Sequence, residues 1–559
     1  MNARIAERLN GQATPLTDAQ VEAWRDQGYW EQRTLRSLLT DAAGEVPDRS
    51  AVVGYDADGK NGEMTYADLD ARAHHVASAL DSLGIGAGDG VVVMLPNVVE
   101  YAALVFGIIE AGAAYSGIPV AYGPQQVEKI VRRSKAKAIF IPRSFRRTQH
   151  LQMMRRLRAD LPELRHVIVL DNDSDDLRDG EVLWSDLEGT PSRELDAVDP
   201  GRVCYLGFTS GTTGEPKGAM HSHESLMYSV RHQAEHLGID AFGNPPVQLV
   251  ASPIGHHTGF VWGIMLTAFL RGTGVYVDRW DARWGIDVVR REKTTFFVGA
   301  PTFLQDMVRT DLAGDPDCPL TALIIAGSPV PRQLPTQASA ALGAYVAPAW
   351  GMTECSIILS CTPDEPQAIQ NTDGSVFKGS EVRIVGPEGQ ELPAGEIGEL
   401  QIKGPALFLG YYDRPDATED SFVDGLWFRT GDTAQIDENG WVSLRGRIKD
   451  MIIRGGENIP VTEVESVIFG HPSVLQAAVV GIPDERLGER ICVVLKTKDD
   501  VRLTVDELSQ YLLGQGLSRH YLPEQIVLLD HMPMTPSGKI KKFELREELK
   551  AAVEAHHVS

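Results

Sequence analysis

The sequence predicts an α/β protein: a large N-terminal domain of βαβ-built sheets with a β-rich subdomain, then a small α+β C-terminal domain. Three observations carry this. Short apolar runs alternate with helix-like patterns over most of the chain, as βαβ units with largely parallel sheets require. From about Glu381 the texture changes to period-two alternation broken by turn glycines, in "EVRIVGPEGQELPAGEIGELQIKG" and "GWVSLRGR". After Arg447 a smaller unit of mixed short elements begins, beyond the charged, glycine-led stretch "GRIKD" (446–450). The predicted division is 1–446, with the β-rich part at about 380–446, a connection at 447–450, and 451–559.

Taken in order, "GVVVML" (90–95) reads as a strand feeding the helix "EYAALVFGIIEAG" (100–112). "AKAIFIP", "RHVIVLD" and "RVCYLGF" are further strands. "TTFFVGAP" (294–301) runs into the helix "TFLQDMV", and "TALIIAG" (321–327) into "VPRQLPTQASAALG". In the C-terminal unit, "TEVESVIFG" and "VDELSQYLLGQ" read as helices; "LQAAVVGIP", "RICVVLK" and "EQIVLLD" read as strands. The most apolar windows, "YAALVFGIIEAGAAYSGI" and "TGFVWGIMLTAFL", are short or broken by glycine. They predict buried helices rather than membrane spans. Parallel sheets bind ligands at the carboxyl ends of their strands, so the loops closing these units, and the cleft between the two domains, are where chemistry is sought.

The chain has 559 residues, 43% hydrophobic and 23% charged, with a formal net charge of -24. That charge argues against a nucleic-acid or anionic-membrane binder, whose footprint is basic. The five cysteines (Cys204, Cys318, Cys355, Cys361, Cys492) form no C-x-x-C pair, which suggests neither zinc nor a disulfide framework. A reducing setting follows. The N-terminal "MNARIAERLNGQATPL" has no apolar signal core. The expectation is a cytoplasmic protein, monomeric or homodimeric.

The most informative loop is "TSGTTGEPKG" (209–218), at the carboxyl end of "RVCYLGF". Gly211 and Gly214 let the backbone approach an anion and adopt positive φ. Successive N–H groups then form a nest for phosphate oxygens. Thr209, Ser210, Thr212 and Thr213 add hydroxyl donors and Lys217 adds a charge. Each charge-assisted hydrogen bond contributes about 1.5–3 kcal/mol, enough together to hold a triphosphate tail. The pattern is not a Walker A motif, because proline precedes the lysine and glycine follows it.

This string resembles the phosphate-binding loop of the adenylate-forming superfamily, which includes acyl- and aryl-CoA ligases, adenylation domains of nonribosomal peptide synthetases and firefly luciferase. Five further stretches resemble family motifs in the family's order. "WGMTEC" (350–355), with Trp350, Gly351 and Met352, resembles the aromatic-G-x-T-E motif. There the resemblance implies that Thr353 meets the α-phosphate and Glu354 holds Mg²⁺. "AGSPVP" (326–331) resembles the adenine-lining segment, with Gly327, Ser328 and Pro329. "FRTGD" (428–432) places Asp432 as the ribose-binding aspartate. "GRIKDMIIRGGENI" (446–459) resembles the hinge and its following loop: Arg447 contacts the nucleotide, Lys449 is the pivot, and Gly455 and Gly456 line a pantetheine channel. "PMTPSGKIKK" (533–542) carries the catalytic lysine, Lys539. The resemblance thus makes 447–450 a hinge and 451–559 a mobile lid.

It also implies a two-step reaction with ATP, Mg²⁺ and coenzyme A. A carboxylate attacks the α-phosphorus and expels pyrophosphate; a thiol then attacks the acyl-adenylate and releases AMP. The first step joins two anions, so it depends on positioning and electrostatic stabilisation. Lys539 would bridge carboxylate and α-phosphate. No general base is needed, because the acid is ionised at neutral pH.

"SPIGHHTGFVWGIM" (252–265) resembles the acyl-pocket stretch, with His256 and Gly259 at H-x-x-G spacing. A structural reading of His256 and His257 stands beside it. Phe260, Val261, Thr302, Phe303, Ala326, Trp350 and 356–359 complete the expected pocket. His221 and His223 read as structural, with no third metal ligand evident. No acidic residue stands out to clamp an amine, which suits a small or medium aryl, alicyclic or fatty acid. Two departures from the family pattern stand out. Pro460 and Val461 follow "GGENI" in place of an aromatic and proline, and Trp350 replaces the commoner tyrosine, a bulk expected to shorten the pocket. The expected function is an AMP-forming carboxylic acid–CoA ligase. Alternatives are an adenylating enzyme loading a separate carrier protein, or a biosynthetic ligase activating another anion such as nitrite.

Overall fold

The computed structural model describes residues 9, 11–171, 176–187, 190–209, 215–484, 486–498, 501–535 and 538–557. Element counts below refer to these residues. Two sheets build the large N-terminal domain. The seven-stranded one runs, edge to edge, Glu181–Leu183, His166–Leu170, Ala136–Pro142, Gly90–Val93, Ala114–Gly117, Val203–Thr209 and Lys217–Ser222. Its pairs are parallel except the last, which is antiparallel. The nine-stranded sheet runs Ser375–Val376, Ser356–Ser360, Tyr345–Met352, Ala322–Ile325, Phe296–Gly299, Val247–Val250, Thr273–Val277, Ser50–Asp56 and Gly59–Thr65. It is parallel in the middle and antiparallel at both edges.

Strands such as Gly90–Val93 are apolar at every position because helices cover both faces of a parallel sheet. Leu104 and Ile108 of helix Glu100–Glu110, and Leu226 and Val230 of helix His223–Leu237, join one core with Val91, Val93, Phe296 and Ile324 from the two sheets. Helix Tyr66–Ser82 begins at a capping box formed by Thr65 and Asp68, which satisfies two otherwise orphaned N–H groups.

Strands Phe296–Gly299, Ala322–Ile325 and Tyr345–Met352 are adjacent and parallel. Their carboxyl ends therefore set Thr302, Gly327 and Thr353 along one rim of the sheet. The β-rich subdomain is an antiparallel five-stranded sheet of Glu381–Val385, Ile397–Lys403, Trp427–Ile436, Phe422–Val423 and Val442–Arg447. The small C-terminal domain is another five-stranded sheet, with helices Val461–Phe469, Val505–Gly514 and Lys542–His557.

Three expectations are refined. The apolar window at 258–270 is not one α-helix: a π-helix, Thr258–Met265, runs into the short α-helix Leu266–Phe269. Gly263 allows this wide turn to pack on Val250, whose Cγ1 would lie 2.7 Å from an added Cβ. Lys217 begins a strand rather than ending a loop. The "GRIKD" stretch is mostly regular: Arg447 ends strand Val442–Arg447, and Ile448–Asp450 makes one 3₁₀ turn. Among the described residues, no helix is long and apolar enough to cross a membrane.

Candidate active site

Strands Val203–Thr209 and Lys217–Ser222 fix both ends of the glycine-hydroxyl loop, with Thr209 paired opposite Lys217. Ser210, Gly211, Thr212, Thr213 and Gly214 lie outside the described residues. At the foot of the loop, Glu215 pairs with Lys129 at 3.0 Å and Arg133 at 3.6 Å. The Lys217 ammonium lies over the Tyr411 ring, 4.8 Å from its centroid.

Across from this hairpin, a turn links Tyr345–Met352 to Ser356–Ser360, closed by the Cys355 N–H donating to the Met352 carbonyl at 3.1 Å. Thr353 sits in that turn, with its methyl against Gly207 of the opposing strand. His221 Nε2 lies 2.7 Å from the Thr353 carbonyl. A carbonyl only accepts, so this imidazole carries its proton on Nε2. Burial pushes His221 down to about 4, which keeps it neutral.

Glu354 is buried, and burial raises its carboxyl above the usual range. Its Oε1 accepts from the Tyr411 hydroxyl at 2.9 Å. Its Oε2 is buried without a hydrogen-bond partner among the described residues. A desolvated carboxylate oxygen with open lone pairs is costly and suits a hard divalent cation. No group of three or more His, Cys, Asp or Glu able to hold a metal occurs among the described residues. Such a cation would therefore take its remaining ligands from phosphate and water.

Asp432 is held from both sides. Trp350 Nε1–H donates to its Oδ2 at 2.8 Å, and Arg447 Nε lies 3.3 Å from its Oδ1. Burial raises the Asp432 carboxyl, while Arg447, Trp350 and Lys539 oppose the rise. The arrangement follows from register, since Asp432 pairs with Arg447 across their two strands.

Lys539 arrives from the C-terminal domain. Its turn is tied by the Thr535 N–H to the Lys539 carbonyl at 2.7 Å, and by the Lys539 N–H to Thr535 Oγ1 at 3.0 Å. Thr302 Oγ1 donates to the neighbouring Gly538 carbonyl at 3.5 Å. The ammonium reaches Gly327, where an added Cβ would lie 3.9 Å from Nζ. Gly327 adopts φ +90, open to glycine at no steric cost. Burial, reinforced by Arg447, pushes Lys539 down to about 8 against the pull of Asp432 and Glu354. Ala326 and Ser328 are half-buried beside it and Pro329 is exposed.

The acyl-pocket candidates divide. His256 is pushed down to about 3, first by burial and then by Lys539, and Phe303 borders Gly538. His257 Nε2 lies 3.0 Å from Ser356 Oγ, on a residue held at φ 58. Gly259 is packed against Pro253 and Ile254 with no room for a side chain. Phe260 is wholly buried between the Tyr115 and Tyr205 rings, at 4.9 and 4.6 Å, and belongs to the core rather than to an open wall. Lys449 is exposed on its 3₁₀ turn. Gly455 (φ 60) and Gly456 (φ 89) form an exposed hairpin turn between strands Ile452–Arg454 and Glu457–Ile459. The motif residues Thr353, Glu354, Asp432, Arg447, Gly327 and Lys539 thus converge. Sequence reasoning missed Tyr411 and Gly207; neither lies in a motif, and only tertiary packing reveals them.

The profile of the family described as AMP-binding enzyme matches residues 39–412, and that described as AMP-binding enzyme C-terminal domain matches 463–539. A medium-chain fatty-acid–CoA ligase of Escherichia coli is 29% identical over 536 residues, covering 94% of this chain and 92% of that one. A salicyl-AMP ligase / salicyl-S-ArCP synthetase of Mycobacterium tuberculosis is 31% identical over 550 residues, covering 96% and 95%. The ATP-bound crystal structure of MatB from Rhodopseudomonas palustris superposes with a TM-score of 0.81 at 28% identity, covering 92% of this chain and 99% of that one. The chain is an AMP-binding enzyme and belongs to the adenylate-forming superfamily.

Proposed function

We propose that the protein is an AMP-forming carboxylic acid–CoA ligase. The observation that carries this reading is the placement of the half-buried Lys539, delivered by the C-terminal domain, against Gly327 and within the field of Asp432, Glu354 and Arg447. A partly desolvated cation aimed into such a cluster suits a reaction that brings anions to it. A carboxylate approaching the α-phosphate supplies two, and Lys539 would draw them together while Thr353 donates to the α-phosphoryl oxygen. Asp432 would accept the ribose hydroxyls and Arg447 would flank them. Lys217, with the loop it closes, would hold the leaving pyrophosphate. Magnesium, held by Glu354, would supply charge neutralisation on the phosphate oxygens. The half-buried His256 and the buried Phe303 near Lys539 favour an uncharged acyl body, hence a small or medium aryl, alicyclic or fatty acid.

For the second step the lysine must leave. We assign the 3₁₀ turn with Lys449 as the hinge at 447–450, and the glycine hairpin at 455–456 as the wall that then meets the thiol arm. A carrier protein is the second reading of the acceptor. It is favoured by the M. tuberculosis relative, whose name records a carrier-loading activity and whose identity to this chain matches that of the CoA ligase.

Pyrophosphate exchange across a panel of carboxylic acids, followed by AMP release with CoA or with a phosphopantetheinylated carrier, tests both. Lys539→Ala is expected to abolish exchange but largely spare thioester formation from supplied acyl-adenylate. Equal loss of the two half-reactions, or no cleavage of ATP between the α- and β-phosphorus for any acid, would overturn the proposal.

A further inference from the structure

Tyr411 connects two parts of the candidate site that lie far apart in the chain. Its hydroxyl donates to Glu354 Oε1 at 2.9 Å, and its ring face receives the Lys217 ammonium at 4.8 Å. The segment around it is clamped on both sides by main-chain hydrogen bonds. The Leu409 N–H donates to the Met220 carbonyl at 2.7 Å, the Met220 N–H to the Gly410 carbonyl at 3.0 Å, and the Tyr412 N–H to the Gly218 carbonyl at 2.8 Å. These lay 409–412 beside the strand that follows the phosphate loop. On the other side, the Phe408 N–H donates to the Glu354 carbonyl at 2.8 Å. The Tyr411 N–H is itself held by Thr418 Oγ1 at 2.9 Å.

The consequence for Glu354 is an asymmetric carboxylate. One oxygen is committed to Tyr411, and the other is buried with no hydrogen-bond partner among the described residues. A carboxylate fixed in this way presents a single oxygen in a set direction, which is how a second layer of hydrogen bonds tunes a ligand for a metal. The consequence for Lys217 is that its long stem is steered by an aromatic face instead of wandering in solvent. We propose that Tyr411 is a positioning residue that orients Glu354 for the divalent cation and Lys217 for the triphosphate, so that one side chain aligns both partners of the leaving group. This rests on the reading that a cation–ATP complex occupies the site.

Binding of Mn²⁺ with α,β-methylene-ATP, followed by electron paramagnetic resonance, tests the proposal without turnover. Absence of an ordered Mn²⁺ signal in the unaltered protein would sink the underlying reading of the site itself. With that signal present, Tyr411→Phe, which keeps the ring and deletes one oxygen, is expected to weaken Mn²⁺ binding by about 10–100-fold. AMP affinity, which involves neither the cation nor the β- and γ-phosphates, is expected to stay unchanged and reports that the fold is intact. Half-saturating Mg²⁺ for pyrophosphate exchange should rise in step, with kcat restored at high Mg²⁺. Tyr411→Leu, which also removes the ring face, should lower ATP affinity measured in chelator by a further factor of about 2–5. Unchanged Mn²⁺ affinity in Tyr411→Phe, or equal losses of AMP and Mn²⁺ binding, would overturn the assignment.

Discussion

Gly207→Ala is expected to disable adenylation without unfolding the protein. An added Cβ at this strand position would lie 2.9 Å from Tyr205 Cε1 and 3.0 Å from Tyr205 Oη, and closer still to the Thr353 methyl. Carbon atoms rest at about 3.5–4.0 Å, so Thr353 or the strand must give by about 1 Å. The strand has little freedom, since Gly207 is paired with Ala219 in the middle of the hairpin. Thr353 has more, because it sits in the turn between two strands and not within a ladder. Overpacking of this kind costs about 1–3 kcal/mol of stability, a modest fall in Tm for so large a domain. Displacing a reacting-group ligand by about 1 Å costs about 10²-fold in rate. Pyrophosphate exchange should therefore fall far more than stability does. The double variant Gly207→Ala with Thr353→Ser keeps the hydroxyl and removes the methyl, so it should recover part of the loss, limited by the remaining Tyr205 contact. An exchange rate for Gly207→Ala within about twofold of the unaltered protein would refute the reasoning, as would failure of the serine variant to recover anything.

Lys539 is held near pH 8 by burial, below the usual lysine value of 10.5. It is charged below that point and loses its charge as pH rises through it, so kcat/KM for ATP should fall above about pH 8 and a flat alkaline limb would contradict the assignment. Docking of the lysine, penalised by charge burial below that pH, should become easier between about 8 and 10.5, where the undocked form binds more protons. Trp350→Phe keeps a ring but removes the N–H that fixes Asp432; selectivity for ATP over 2′-deoxy-ATP should drop by about 3–10-fold, and an unchanged kcat/KM ratio would count against it. Gly456→Ala meets no neighbour here but strains a φ of 89; transfer to the thiol should fall by about tenfold or more while exchange persists, whereas equal effects on both would remove this turn from the acceptor channel.

Elements whose burial is written into local periodicity could be read directly. The run at 90–95 is strand Gly90–Val93, and the helix at 100–112 is Glu100–Glu110, because an apolar run between turn signals has few other ways to be buried. The π-turns at Thr258–Met265 were not readable, since helical apolar patterning looks the same whether a turn closes on the fourth or fifth residue. The site divides in the same way. Thr353, Glu354, Asp432 and Lys539 stand in short strings whose chemistry is visible. Tyr411, Gly207 and the hydrogen bond from His221 matter only through which segments pack together, across separations of 57 residues for Tyr411 and Glu354 and 132 for His221 and Thr353. The Trp350 bond to Asp432 is likewise set by the approach of two sheets, whereas the sequence suggested only a bulk that shortens the pocket.

Lys539 and Arg447 face Asp432 and Glu354, with Lys217 beside them, inside a molecule whose formal total is -24. A net charge of that sign is expected to repel nucleotide at long range, so that recognition falls to these few cations at short range. Added salt, which shields that repulsion over a Debye length of about 8–10 Å, should quicken capture of ATP where a cationic funnel would be slowed, leaving discrimination among anions to shape at short range.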